Sequence, residues 1–413
     1  MPSDVDRLTM RPISVEELPA LARLVGSIFL SDHHDDEDEI ESQVYEPERS
    51  LAIFDGGRPV SSAVAYTRDV TVPGGRLPAA CVSWVAVAPT HRRRGLLTRM
   101  MRRQLTDLHE QQREPIALLW ASEATIYGRF GYGLASQACR LTVSTAQARL
   151  PSGVGRSGRL WLATAEEALP AMTAVYEAAR ADRVGLLDRP GAWWRRRLFD
   201  PEHWRQGASS LRFAVHDDDD GSPDAYAIFN TKPSWDATGP RGEIGVREVQ
   251  AITPSGYAAI WRLLTEMDLV RQVHWDRAAA DEPLPFLLGN PGAVQQTLSD
   301  GLWVRIVDAD RALAARRYST RIDTVIEITD EFCPWNAGRY RLTGDADTAT
   351  CATADDPAEL TLSATTLGAA YLGGITLTTL AAAGLVTEHR PGALAAASTA
   401  MRGARPAYAP EVF

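Results

Sequence analysis

The stretch Val85-Ala-Val-Ala-Pro-Thr-His-Arg92-Arg-Arg-Gly95-Leu-Leu-Thr98 joins a predicted strand to a predicted helix. Apolar residues alternate up to Pro89, and residues 97–108 carry apolar side chains at helical spacing. The junction brings free backbone N–H groups, a helix N-terminus and three arginines to one point. Such a point favours the binding of a pyrophosphate. The alternative is a basic helix start on the protein surface.

A tyrosine in a glycine-rich break is the next candidate for chemistry. Ile116–Trp120 is predicted as a short buried strand, and residues 121–133 as a short helix that breaks into glycines. Tyr127 lies in this break, where a side chain can reach a ligand. A phenol, whose ordinary pKa is about 10, can act as a general acid and donate a proton to a leaving group such as a thiolate. The alternative is a tyrosine packed in the core.

The order of strand, proline and helix recurs in the middle of the chain. Residues 246–252 alternate like a strand, Pro254 follows, and residues 260–267 are apolar at helical spacing. Ser255-Gly-Tyr stands where the first copy has its arginines. This pattern predicts a degenerate second copy of the same fold, and the alternative is a chance repeat of a common arrangement.

The chain of 413 residues is too long for one core, so we expect several domains. Small residues at 151–158 mark one boundary, and the pattern changes again near residue 300. We predict an α/β domain over 1–150, a second mixed domain over 151–299 and an α+β domain over 300–413. Helices are expected over 363–401, before a proline-pinned tail. The pair Trp193-Trp194 is expected to pack between domains.

Composition limits the class of function and the compartment. A net charge of −10 argues against a general nucleic-acid binder and allows a cationic partner. The four cysteines form no C-x-x-C pair, which favours reduced thiols in a cytoplasmic protein. The sequence shows neither the apolar core of a signal peptide nor a run of about 18 apolar residues. We therefore expect no signal peptide and no membrane span.

Residues 31–41 carry seven carboxylates in eleven positions. The simpler interpretation is a solvated loop. The other is an attractive field at the mouth of a pocket for polycationic amines. His33 and His34 lie within the run, but adjacent histidines are weak evidence for a metal, and we expect none.

Three motifs together resemble the Eis (enhanced intracellular survival) family of GCN5-related N-acetyltransferases. They are Val85–Leu97, Ala121-Ser-Glu123 and Ile126–Gly133. The layout is also similar, because that family has two tandem acetyltransferase folds and a C-terminal domain like sterol carrier proteins. The resemblance implies a chain of α/β and α+β domains whose second acetyltransferase fold is degenerate.

The resemblance also implies an activity and its residues. Acetyl-CoA would be held by Val85, Ala86, Val87, Arg93, Arg94, Gly95, Leu96, Leu97, Thr98, Ser122 and Glu123. Tyr127 would be the proton donor, and the free α-carboxylate of Phe413 the base. The implied substrates are amines of aminoglycosides, lysine side chains and polyamine-like molecules, and the implied assembly is a homohexamer. Asp32, Asp35 and Glu411 would suit such cations, with Trp84 as an aromatic wall.

Two other functions stay open at this point. One is a narrow peptide or protein N-acetyltransferase with the same acetyl-CoA site. The other is a non-catalytic binder that holds an apolar ligand in the C-terminal domain.

Overall fold

The first third of the chain builds a sheet with helices on its faces. The computed structural model describes residues 8–413, so residues 1–7 of the predicted first domain lie outside the described part. The strands are β1 (Thr9–Arg11), β2 (Ser50–Asp55), β3 (Arg58–Val72), β4 (Gly75–Val87), β5 (Ile116–Trp120) and β6 (Tyr132–Leu134). The helices are α1 (Leu18–Phe29), α2 (Asp35–Ser42), α3 (Leu96–Gln111) and α4 (Ala124–Tyr127).

The middle of the chain builds a second sheet. Its strands, with a two-stranded ribbon of β11 and β12, are β7 (Gln137–Ser144), β8 (Arg159–Ala163), β9 (Arg212–Asp217), β10 (Pro223–Lys232), β11 (Trp235–Asp236), β12 (Gly239–Pro240), β13 (Gly242–Ala251), β14 (Val270–Ala279) and β15 (Val294–Asp300). The helices are α5 (Ala165–Asp182), α6 (Gly191–Leu198), α7 (Pro254–Glu266) and α8 (Leu284–Leu287).

The last third contains a smaller sheet and four helices. The smaller sheet consists of β17 (Ile322–Thr329), β18 (Gly338–Gly344), β19 (Ala349–Thr353), β20 (Leu360–Ser363) and β21 (Val386–Glu388). This part of the chain also contains the strand β16 (Leu302–Ile306). The helices are α9 (Ala309–Ala315), α10 (Ala364–Tyr371), α11 (Leu377–Ala382) and α12 (Ala393–Met401). The region predicted as helical over 363–401 thus holds three helices and one strand. Across residues 8–413, no helix is both long and apolar enough to cross a membrane.

The two large sheets each take a strand from outside the predicted domain range. The first has the order β1-β2-β3-β4-β5-β16-β6, and the second β15-β7-β14-β13-β10-β9-β8. β16, predicted in the third domain, pairs with β5 and β6, and β7, predicted in the first, pairs with β14 and β15. An apolar strand pattern does not say which sheet the strand joins, so the boundaries near 150 and 300 do not separate the sheets.

The second sheet repeats the central arrangement of the first. In the first, β4 and β5 are parallel partners joined through α3, and in the second β13 and β14 are parallel partners joined through α7. In both sheets the pairing stops early, at Cys81 opposite Leu118 and at Val246 opposite Trp275. Each strand pair therefore opens into a gap.

A two-residue turn joins β2 to β3, as the sequence predicts. Asp55 pairs with Arg58, and Gly56 and Gly57 have φ values of 53° and 84°. Positive φ at both central residues is the requirement of the tight hairpin turn that glycine meets without strain.

The cores of the domains are joined. One core cluster combines the first sheet with residues of the C-terminal domain, such as Ile326 and Leu367, and a second fills the middle of the chain. Trp193 belongs to the first cluster and meets Tyr66 of β3, so it packs between domains as predicted. Trp194 instead packs in the second cluster, against Tyr176 of its own domain.

Candidate active site

The arginine-rich loop ends in an uncapped helix N-terminus. Arg93 and Gly95 have φ values of 63° and 76°, and α3 begins directly after Gly95 without a side-chain cap. The first helical hydrogen bond runs from the N–H of Arg99 to Gly95, so the N–H groups of Leu96, Leu97 and Thr98 have no partner within the helix. A Cβ atom at Gly95 would meet no atom within 4 Å. Free donors therefore face open space.

A β-bulge lies where β4 leaves β5. Ser62 pairs with Ala86 and Val64 with Ser83, so β4 holds one extra residue there, and Trp84 has a φ of 51°. A bulge redirects side chains and ends regular pairing. Val85–Val87 consequently present a strand edge to the gap that opens between β4 and β5.

The loop and the gap enclose a cavity of about 420 Å³, here called the loop cavity. Ten of the eleven residues predicted to hold acetyl-CoA line it: Val85, Ala86, Val87, Arg93, Gly95, Leu96, Leu97, Thr98, Ser122 and Glu123. Arg94 does not line it. Arg129 and Phe29 also line it, and sequence reasoning missed them because one lies in the glycine-rich break and the other on a distant helix.

Tyr127 lines the loop cavity at the end of α4. Its side chain is buried, and its ring meets that of Tyr132 edge-on at a centroid distance of 6.0 Å. Burial, and then the charge of Glu123, raises the pKa of Tyr127 to about 12. The phenol therefore keeps its proton at neutral pH. The same residue is both packed and exposed to the cavity, so the two alternatives from the sequence are not exclusive.

The C-terminal tail enters the gap between β4 and β5. The hydroxyl of Ser83 on β4 donates to the backbone oxygen of Phe413 at 2.5 Å. The indole of Trp120 on β5 donates to the backbone oxygen of Glu411 at 2.9 Å. Phe413 is buried, with 4% of its surface exposed. The last residues are thus held between the two strands whose ends line the loop cavity.

Glu411 is not a free acid for a substrate, which corrects the prediction. Its carboxylate accepts from Arg68 at 3.1 Å and from Arg189 at 2.9 Å. Burial alone would raise the pKa of Glu411, but these two arginines bring it below its ordinary value. The side chain anchors the tail. The sequence around Glu411 does not show this role, because both arginines are far away in the chain.

A second cavity, of about 600 Å³, lies between the first two domains and is here called the acidic cavity. Of the predicted substrate residues, Asp32, Trp84 and Glu411 line it, whereas Asp35 does not and its side chain is fully exposed. The acids at 35–41 are in helix α2 rather than in a solvated loop. Four arginines lie on other parts of the wall: Arg196, Arg197, Arg247 and Arg277.

Four acids that were not predicted individually also line the acidic cavity: Glu37, Asp38, Glu41 and Asp276. Asp38 and Glu41 each have one buried carboxylate oxygen without a hydrogen-bond partner, Oδ1 of Asp38 and Oε2 of Glu41. Burial raises the pKa of Asp38 above its ordinary value. Unpaired buried acceptors are costly, and a cationic donor satisfies them.

The two cavities are neighbours. Phe29 lines both, and the consecutive residues Trp84 and Val85 line the acidic cavity and the loop cavity respectively. The bulge in β4 therefore stands between the arginine-rich loop and the acidic cavity.

The histidines beside the acidic cavity give no metal centre of convincing geometry. His34, Asp36 and His203 have potential ligand atoms within 4.8 Å of one another, and so do His33, Asp35 and Asp38. The rings of His34 and His203 stack at a centroid distance of 3.5 Å. Stacked rings direct their in-plane lone pairs side by side instead of toward one ion. That no metal is needed stays a prediction.

Comparison with protein families divides the chain into three. Residues 9–135 match a model described as an acetyltransferase (GNAT) domain, and residues 185–306 match a second model of that description. Residues 309–410 match a sterol carrier protein domain. These matches confirm the tandem acetyltransferase folds and the C-terminal domain.

Relatives and solved structures agree with this division. The chain is 42% identical over 380 residues to a Streptomyces avermitilis protein described as an N-acetyltransferase, with 92% of each chain covered. It is 35% identical over 350 residues to N-acetyltransferase Eis of Mycobacterium tuberculosis, covering 81% of this chain and 82% of the relative. The crystal structure of Eis1 from Mycobacterium abscessus superposes with a TM-score of 0.82 at 30% identity, covering 98% of this chain and 100% of that one.

Proposed function

Because the chain belongs to the Eis family of GCN5-related N-acetyltransferases, we propose that it moves the acetyl group of acetyl-CoA to an amine of a cationic substrate. The observation that carries this proposal is the adjacency of the loop cavity and the acidic cavity at Trp84 and Val85. A thioester donor and a positively charged acceptor would approach each other across one β-bulge.

The loop cavity fits acetyl-CoA. Free N–H groups at Leu96–Thr98 and the charge of Arg93 suit the pyrophosphate. The strand edge Val85–Val87 suits the amides of the pantetheine arm, with Ser122 and Glu123 on the facing side. The bound molecule supplies the thioester, and a backbone N–H near Val85 would polarise its carbonyl oxygen.

Two groups handle protons in this proposal. The hydroxyl of Tyr127 donates a proton to the sulfur as it leaves. The carboxylate of Phe413, taken as the last residue, accepts a proton from the attacking amine or orients an amine that is already neutral. The position of the tail between β4 and β5 supports this second role.

The substrate class follows from the acidic cavity. Aminoglycoside-like molecules, polyamines and lysine side chains carry several ammonium groups. Each ammonium group offers donors to the unpaired oxygens of Asp38 and Glu41. Asp32 adds charge at the mouth and Trp84 a flat apolar wall. A roomy pocket of this kind also suits acetylation at several positions of one molecule.

A panel of amines tests the function. We expect thiol release from acetyl-CoA with aminoglycosides, polyamines and lysine peptides, faster for polycations than for a monoamine of similar size. Activity on a single peptide would instead favour the narrow protein acetyltransferase. The absence of release above background with every amine would contradict the proposal. Two cavities on the C-terminal domain are lined mainly by polar residues such as Arg341 and Asp356, so they give no support to an apolar-ligand binder.

We also propose a cytoplasmic homohexamer. The four cysteines are free thiols, three of them buried, as a reducing compartment allows. Light scattering of the purified protein should give six times the chain mass, and a monomer in solution would contradict the assembly.

A further inference from the structure

The second sheet has a cavity at the place that the loop cavity occupies in the first. It lies where β13 and β14 diverge, and its volume is about 680 Å³. It is lined by the end of β13, the start of α7, Trp275 of β14, and Glu282, Pro283, Phe286 and Leu287. We call it the second-sheet cavity.

Two buried side chains on its wall have hydrogen-bond donors without partners. They are the amide Nε2 of Gln250 and the indole Nε1 of Trp275. Gln250 is 7% exposed and Trp275 2% exposed. A buried donor that is left unpaired destabilises the protein, because its hydration is lost and nothing replaces it. A ligand oxygen in the cavity would satisfy both groups.

Three of the four charged groups on this wall are already paired, and the fourth is the exposed carboxylate of Asp182. Arg183 and Arg405 both donate to Asp281, at 3.1 Å and 2.6 Å. The carboxyl group of Glu282 accepts a hydrogen bond from the hydroxyl of Tyr257. The rest of the lining is largely apolar and includes Ile252, Pro254 and Leu287. The wall thus offers neutral donors and apolar surface, and its one unpaired charge, on Asp182, is negative.

The helix start at this cavity is closed to phosphate. Gly256 lies in the first turn of α7, and a Cβ there would be 2.5 Å from the Oδ1 atom of Asp224. Asp224 also accepts from the hydroxyl of Thr253, the N-cap residue. A carboxylate thus sits under the helix N-terminus, where the first sheet has arginines. Asp224 is itself paired with His216 at 2.6 Å, and the N–H of Gly256 donates to the hydroxyl of Thr253 at 3.0 Å, so this helix start is already capped.

We propose that the second-sheet cavity binds an uncharged acyl-amide compound whose carbonyl oxygens accept hydrogen bonds from Gln250 and Trp275. The arm of such a molecule lies in the gap between β13 and β14, as a pantetheine arm does in the first sheet, but no nucleotide follows it. The second acetyltransferase fold has kept a ligand site and lost the phosphate loop. The site is independent of the acetyl transfer proposed above.

Fluorine NMR of protein labelled with 5-fluorotryptophan tests this site directly. The Trp275 signal is identified by its absence from a Trp275→Phe variant. Pantetheine, which is uncharged and carries two amides, is titrated with coenzyme A in excess to fill the loop cavity. We expect a saturable shift of the Trp275 signal. No saturable shift overturns the proposal, whether or not coenzyme A binds elsewhere.

Two comparisons sharpen the result. Gln250→Met keeps the side-chain volume and removes the donor, so pantetheine should bind about tenfold more weakly. Gln104→Met is the matched control, because Gln104 is also buried with an unpartnered amide but lies on α3. In the unaltered protein, phosphopantetheine should bind at least about tenfold more weakly than pantetheine, since the start of α7 is already capped and the unpaired charge of the wall, on Asp182, is negative. The proposal is contradicted if Gln250→Met binds pantetheine as tightly as the unaltered protein does, or if phosphopantetheine binds as tightly as pantetheine.

Discussion

At the scale of single residues, the hydroxyl of Tyr127 is the group through which the proposed chemistry can be separated from binding. The side chain is buried in the wall of the loop cavity, and its raised pKa of about 12 keeps it in the acidic form. It can therefore donate a proton to a leaving thiolate but cannot act as a base at neutral pH.

Replacing Tyr127 with phenylalanine should lower kcat by about 10²–10⁴-fold, the usual contribution of a positioned acid. The affinity for acetyl-CoA, measured by calorimetry, should stay unchanged because the ring still fills the wall. Tyr132→Phe is the matched control, since Tyr132 is a buried neighbour whose hydroxyl has no partner. Equal turnover in both variants would leave Tyr127 with a packing role alone.

Glu282 gives a prediction about stability and pH. Burial, against the hydrogen bond from Tyr257, raises its pKa from 4.5 to about 7. The folded protein therefore holds this proton more tightly than the unfolded chain does. The resulting stabilisation is complete below about pH 4.5 and is lost as the pH rises through about 7.

Glu282→Gln should remove this dependence. Urea unfolding between pH 4.5 and 7.5 should show a fall in the unfolding free energy for the unaltered protein that is smaller in the variant. Glu243→Gln, at an exposed side chain, controls for the loss of one charge. Parallel curves for all three proteins would show that Glu282 titrates as an ordinary glutamate.

At the scale of elements, the C-terminal tail links the domains to the candidate site. Glu411 is held by Arg68 and Arg189, and Arg189 also binds Glu248 of β13 at 3.0 Å. The guanidinium of Arg196 donates to the backbone oxygen of Val412 at 3.1 Å. The last three residues are thus fixed by groups from the first sheet, from the second sheet and from the segment between them.

Glu411→Gln should cost about 2 kcal/mol of unfolding free energy, because each of two buried arginines loses one of its two carboxylate partners and keeps the other, Asp188 or Glu248. It should also lower kcat, since the tail end is less well fixed, with little change in acetyl-CoA affinity. Glu359→Gln provides the comparison at an exposed ion pair with Arg390, where about 0–1 kcal/mol is expected. An equally small effect at Glu411 would mean that the ion pairs do not hold the tail.

At the scale of the whole molecule, local sequence patterns predicted the elements better than their partners. The hairpin at Gly56-Gly57 and the capping box at Thr164 depend only on neighbours in sequence. The same is true of the arginine loop, which leads into a helix as predicted. The capping box shows this in detail, as the Glu167 carboxylate accepts from the Thr164 N–H at 2.9 Å.

Long-range partners were beyond the sequence patterns. The placement of β16 in the first sheet and the ion pairs of Glu411 join residues far apart in the chain. The acid run at 31–41 was visible, but not that Asp38 and Glu41 would be the residues with unpaired oxygens. Periodicity reports how a side chain sits on its own element, and it does not report what that element packs against.

We propose that the α-carboxylate of Phe413, taken as the last residue, acts together with Tyr127 at the gap between β4 and β5. The most direct measurement is kcat/KM of a semisynthetic protein in which the carboxylate of Phe413 is replaced by a carboxamide. This change keeps the tail and its volume and removes only the charge and the base. We expect kcat/KM to fall at least about a hundredfold, while the affinity for acetyl-CoA and the melting temperature stay unchanged. An amidated protein with the activity of the unmodified chain would contradict it.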